Sequence, residues 1–225
     1  MNTRDLQFDT GETTGMVSGL FARPPRARAV YVLAHGAGAD MRHAFMQAMA
    51  EALYERGIAT LRYQFPYTEA GRKRPDRPPA LLATVRAAVA EAARRARGLP
   101  LFAGGKSMGG RMTSMAAAAD PLRGVSGLIF LGFPLHPPGK EGSERADHLD
   151  DVGVPSLFVQ GTRDKLANLD RLGPVLQRVG PRAELYVVEG GDHSLHVLKR
   201  SGRTDDEVRE EIADHIAAWI DRRSP

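Results

Sequence analysis

The chain has 225 residues, 42% of them apolar and 26% charged, with a formal charge of +4 and no cysteine. That is enough chain for one globular domain with a large core, and it excludes disulfides, thiolate nucleophiles and cysteine-based zinc sites. No apolar run approaches the ~20 residues of a membrane helix, and the opening MNTRDLQFDTGETTG lacks the apolar centre of a signal peptide, so a cytoplasmic protein is expected.

Residues 6–8 and 16–21, joined by a Gly-rich turn, have the pattern of an antiparallel hairpin at a sheet edge. Residues 29–34 (AVYVLA) read as a buried strand. Met46, Met49, Ala50 and Leu53 follow at helical spacing within residues 42–56. Residues 58–63 are the next strand, and Leu81, Leu82, Val85, Ala88, Val89 and Ala92 mark a long amphipathic helix ending near Gly98. A strand at 101–103 runs directly into GGKSMGG, and Met112, Met115 and Ala116 mark the helix beyond it. Strands are expected at 128–131, 156–159 and 185–188, with a helix over 169–179 between the last two. The final helix starts near Thr204, where Glu207 completes a capping box, and carries Val208, Ile212, Ile216 and Ile220 on one face. Continuous apolar strands alternating with helices predict a mostly parallel sheet with helices on both faces. The whole chain reads as one domain, and 133–151 as its one long irregular stretch.

GGKSMGG admits two chemistries. A phosphate-binding G-x-x-x-x-G-K-[ST] loop needs a glycine at position 100, which is Pro100, at the point where the strand should begin. The G-x-S-x-G reading fits: a strand, a tight turn carrying Ser107 with Gly105 and Gly109 at minus two and plus two, then a helix. That turn needs small neighbours, and it lifts the Ser107 hydroxyl above the sheet at a helix N-terminus. Partners follow in the order Ser, Asp, His: Asp164 stands just past the strand at 156–159, and His193 in the Gly-rich loop after the strand at 185–188. After residues 29–34 comes His35-Gly36-Ala37-Gly38, a turn able to present main-chain N–H groups, so Met108 and Ala37 are the expected oxyanion donors, with Gly36 and Gly38 near equivalents to Ala37. Gly36 and Gly38 border the same substrate position, and His136, in the loop over it, is a candidate substrate contact.

The remaining candidates read more blandly. His35 is expected to be packed and structural, His43 and His215 to sit on helix surfaces, and Asp170 and His196 are rivals to Asp164 and His193. The basic run at Arg72, Lys73, Arg74 and Arg77 is a solvated loop without stacking aromatics, so no nucleic-acid partner is expected. No His/Asp/Glu set has metal spacing, and neither a metal nor another cofactor is expected.

Together, HGAG at 35–38, GKSMGG at 105–110, GTRD at 161–164 and GDH at 191–193 resemble the α/β-hydrolase superfamily over nearly the whole chain, and most nearly its dienelactone-hydrolase-like group. The resemblance implies a three-layer α/β fold with Ser107 as nucleophile, Asp164 as acid and His193 as base. Two departures stand out: dienelactone hydrolases proper carry cysteine where this chain has Ser107, and the Pro-rich segment before residue 152 is too short for a helical lid. The expected function is hydrolysis of a small carboxylic ester or thioester through an acyl-enzyme. A non-catalytic interaction protein on the same scaffold is the alternative, since that Pro-rich segment also resembles a subgroup whose eukaryotic relatives serve in chromatin-associated complexes.

Overall fold

In a computed structural model, which describes residues 1–12 and 14–224, the chain forms a single twisted sheet flanked by helices. Its strands are β1 (Thr3–Asp9), β2 (Met16–Ala22), β3 (Ala29–Ala34), β4 (Ile58–Tyr63), β5 (Leu101–Lys106), β6 (Val125–Leu131), β7 (Ser156–Gly161) and β8 (Ala183–Val188). They lie in the order β1-β2-β4-β3-β5-β6-β7-β8. The hairpin β1–β2 is antiparallel and docks antiparallel on β4, and the rest of the sheet is parallel.

The helices are α1 (Ala44–Glu55), α2 (Pro66–Glu69), α3 (Pro78–Arg95), α4 (Met108–Ala119), α5 (Leu169–Val179) and α6 (Asp205–Asp221). Every residue of β3 and β4 is buried, so β3 is apolar throughout, and even Thr60 and Arg62 of β4 are enclosed. The period of two survives in which core each residue enters. Val30, Val32 and Ala34 point to the core under α3, α4 and α5. Ala29, Tyr31 and Leu33 point to the core under α1 and α6, where Phe102 meets Trp219 edge-on. Each large side chain buried there contributes roughly 1.5–3 kcal/mol. The capping box expected at Thr204 is present, with both reciprocal bonds to Glu207. No helix among the described residues is long and apolar enough to cross a membrane.

Two local expectations change. The strand entering GGKSMGG continues through both glycines to Lys106. It does so because β3 and β6 press against it: a Cβ on Gly105 would stand 2.2 Å from Ala34 O, and one on Gly104 1.8 Å from Ile129 O. The stretch 133–151 is also not irregular throughout, since Glu144–Asp151 form a 3-10 helix that buries Ala146 and Leu149. The short α2 was not foreseen, because four residues carry no readable period. The C-terminal ends of β3, β5, β7 and β8 lie along one edge of the sheet, where open parallel sheets place their ligands.

Candidate active site

At the end of β5 the chain turns so sharply that Ser107 takes φ 49° and ψ −115°, a conformation that side chains rarely adopt. Ser107 N–H is held by Leu131 O at 3.1 Å, and α4 leaves immediately. Gly109 lies against β3, where a Cβ would stand 2.6 Å from both Ala34 O and His35 O. The turn therefore tolerates no side chain there, and the hydroxyl projects into a cleft of about 210 Å³ lined by Gly36–Ala39, Phe45, Met46 and His193.

His193 Nε2 lies 2.8 Å from Ser107 Oγ, and His193 Nδ1 lies 2.8 Å from Asp164 Oδ2. Asp164 is 4% exposed. Its Oδ1 accepts the Leu166 N–H at 2.7 Å, and its Oδ2 also accepts from Gln160 Nε2 at 2.5 Å. A buried carboxylate with these donors aims one oxygen at the imidazole, which requires the proton on Nδ1 and leaves Nε2 free to accept from Ser107. The loop carrying His193 is closed by Asp192, whose Oδ1 accepts the N–H groups of Ser194 and His196. Leu195, buried in the same loop, takes φ 64°.

Ala37 lies in the wall of the cleft that holds Ser107, between Gly36 and Gly38, and Met108 opens α4. Among the described residues no main-chain carbonyl takes the Ala37 N–H. His35 is fully buried beneath this turn. Its Nε2 receives the Phe65 N–H at 3.4 Å, so its Nδ1 donates to Gly36 O at 2.9 Å. Burial pushes its pKa down, in keeping with a neutral structural ring.

The other candidates fall elsewhere. His136 is 6% exposed, its Nδ1 faces Pro137 O, its own carbonyl takes a bond from Arg145, and it does not line the cleft. His196 turns away to Asp205 at 2.7 Å, and Asp170 sits in the first turn of α5. His43, expected on a helix surface, caps α1 and lines the cleft. Gln160 and Lys106 were not singled out from sequence, although a buried glutamine following the apolar run 157–159 of β7 was a signal for the first. Among the described residues no cluster of His, Asp and Glu has the makings of a metal site. A larger depression of about 600 Å³ lies beside Arg4, Arg23 and Arg95, but it holds none of the reactive groups.

A family model for an alpha/beta hydrolase domain matches residues 27–221. Among solved structures, a dienelactone hydrolase from Anabaena variabilis superposes with a TM-score of 0.79 at 19% identity, covering 100% of this chain and 99% of that one. A lidless serine hydrolase from Xanthomonas campestris gives 0.74 at 20% identity, over 97% and 95%. An alpha-beta serine hydrolase homologue from Coxiella burnetii gives 0.74 at 20% identity, over 96% and 98%. At these identities the superpositions bear on the fold.

Proposed function

The chain belongs to the α/β-hydrolase family, and from that premise we propose that it is a serine hydrolase acting on small carboxylic esters or thioesters. The observation that carries this reading is the unbroken relay from Ser107 Oγ through His193 to buried Asp164, at 2.8 Å on both steps. In this reading Ser107 Oγ attacks the acyl carbon while His193 Nε2 takes its proton and Asp164 holds the imidazole. The N–H groups of Met108 and Ala37 bind the oxyanion, each worth roughly 10²–10³ in rate, while Gly36 and Gly38 leave the turn thin enough for substrate to approach. The carbon–oxygen or carbon–sulfur bond then breaks, and His193 returns the proton to the leaving group. Water attacks the acyl-enzyme, giving its proton to His193, and Ser107 is released with its hydroxyl restored.

The cleft supports a small acyl group: 210 Å³ is the share of about seven liquid waters at ≈30 Å³ each. We take residues 1–225 as one catalytic unit without a helical lid, working in the cytoplasm on a small-molecule substrate.

The test is labelling with a fluorophosphonate probe, which requires an activated serine, read by peptide mass spectrometry. The expected result is a label on Ser107 that is absent from Ser107→Ala. Folded protein that takes no label would refute the hydrolase reading and favour a scaffold role.

A further inference from the structure

Lys106 has no part in the steps above, yet it occupies the floor of the site. Its Cγ passes 3.6 Å from where a Cβ on Gly36 would stand, and its Nζ lies 2.9 Å from where one on Gly132 would stand. Nζ donates to the main-chain carbonyl of His193. The side chain thus spans the oxyanion turn after β3, the end of β6 and the histidine loop after β8. Glycine at 132 leaves the room that the ammonium fills. Among the described residues its hydrogen bond goes to a neutral carbonyl, not to a carboxylate. A buried ammonium is costly to keep in such a place, and an apolar side chain of equal length would fill the same space.

We propose that Lys106 is a positioning residue: Nζ, packed against Gly132, holds the main chain at His193 and so keeps the imidazole in line between Ser107 and Asp164. The proposal rests on the triad reading above. It has a consequence in pH. Burial lowers the lysine pKa to about 8, against the opposing pull of Asp164 and Asp192. These two carboxylates and the His193 ring face it from the loops after β7 and β8. Residues 36–39 bring no charged side chain, Gly132 brings none, and His43 lines the same cleft from α1. A charge-assisted bond is roughly twice as strong as a neutral one. The grip on His193 therefore weakens as pH rises through about 8 and the ammonium loses its proton.

The experiment compares wild type, Lys106→Met and Lys106→Arg on a soluble p-nitrophenyl ester across pH. Lys106→Met is expected to lower kcat by about 10- to 100-fold, the scale of a small misplacement of a reacting group, with KM little changed. Its melting temperature should not fall, because an apolar chain replaces a buried charge, and its alkaline limb should vanish. Lys106→Arg should retain more activity and also lose that limb, since a guanidinium does not titrate there. Wild-type kcat in Lys106→Met, or a reduced kcat with the alkaline limb still in place, would overturn the proposal. Proton NMR separates this from failure of the esterase reading. The low-field Nδ1–H resonance of His193 should be present in wild type and lost in Lys106→Met, whether or not any ester is turned over. Its persistence in that variant would count against the positioning role even in a protein that hydrolyses nothing.

Discussion

Gln160 donates from Nε2 to Asp164 Oδ2 at 2.5 Å, the same oxygen that accepts the hydrogen bond of His193 Nδ1–H. The amide has one orientation available, because its Oε1 accepts the Phe133 N–H at 3.0 Å. Fully buried, Gln160 ties the segment after β6 to Asp164 after β7 and shares Oδ2 of Asp164 with the histidine.

Gln160→Leu is therefore expected to act twice. It strands the Phe133 N–H, which costs about 1–3 kcal/mol for a buried orphan donor. It also frees Asp164 to turn, with a fall in kcat of at least about tenfold from lost alignment. Urea denaturation and ester turnover on the same preparation check both effects, and a variant that keeps wild-type kcat would show that Leu166 N–H alone orients the acid.

That Ser107, Asp164 and His193 come together could be expected from the sequence because each sits at a point of local necessity. Ser107 needs its glycines, and Asp164 and His193 each follow an apolar run at the distance where a parallel strand ends. The hairpin, the layer order and the α6 capping box were legible for the same reason, being patterns of adjacent residues. Gln160 and Lys106 were not, because their roles depend on which group across the sheet they face, and spacing along the chain does not encode that. His136 fails in the opposite sense. Its loop was correctly placed after β6, but the packing that turns its ring onto Pro137 O is tertiary.

The backbone at Ser107 gives a second prediction. A non-glycine residue at φ 49°, ψ −115° stores about 1–3 kcal/mol, and glycine would release it at an entropic cost of roughly 0.5–1 kcal/mol. Ser107→Gly should raise the melting temperature by a few degrees, at about 2–4 °C per kcal/mol for a chain of this size, while abolishing turnover. Ser107→Ala, which keeps the strain, should abolish turnover with no such gain. Equal melting temperatures for the two would mean that the turn holds no relievable strain.

Two glycines at the site should respond differently to a methyl group. A Cβ on Gly36 meets Lys106 O and Ser107 Cβ at 3.5 Å, ordinary contact, so Gly36→Ala should fold normally and lose activity through the narrowed cleft. A Cβ on Gly105 would stand 2.2 Å from Ala34 O, a main-chain atom paired inside the sheet that has nowhere to go. Gly105→Ala should cost more than about 4 kcal/mol, in the range reserved for forced core rearrangement, and yield little folded protein. Circular dichroism and ester turnover of both variants, expressed in parallel, check that the first folds without activity and the second fails to fold.

His148 gives a prediction about acid stability. Ser114 Oγ donates to Arg111 O at 2.9 Å, so the 2.7 Å contact between Ser114 Oγ and His148 Nε2 requires the ring to donate, pinning the 3-10 helix Glu144–Asp151 to α4. Burial pushes the His148 pKa down to about 4, with Arg111 adding to the shift and Asp147 and Asp151 opposing it. The folded value thus lies below the ~6.5 of an unfolded histidine. The unfolded chain takes up a proton that the folded one refuses, so this stability is complete above about 6.5 and drains away as pH falls toward about 4. The slope cannot exceed one proton, about 1.4 kcal/mol per pH unit, and solvent reaching the half-buried ring reduces it. His148→Gln keeps an N–H donor for Ser114 without a titrating group. Its urea midpoint should vary less than that of wild type between pH 6.5 and 4.5, and parallel curves would locate the acid sensitivity in the carboxylates instead.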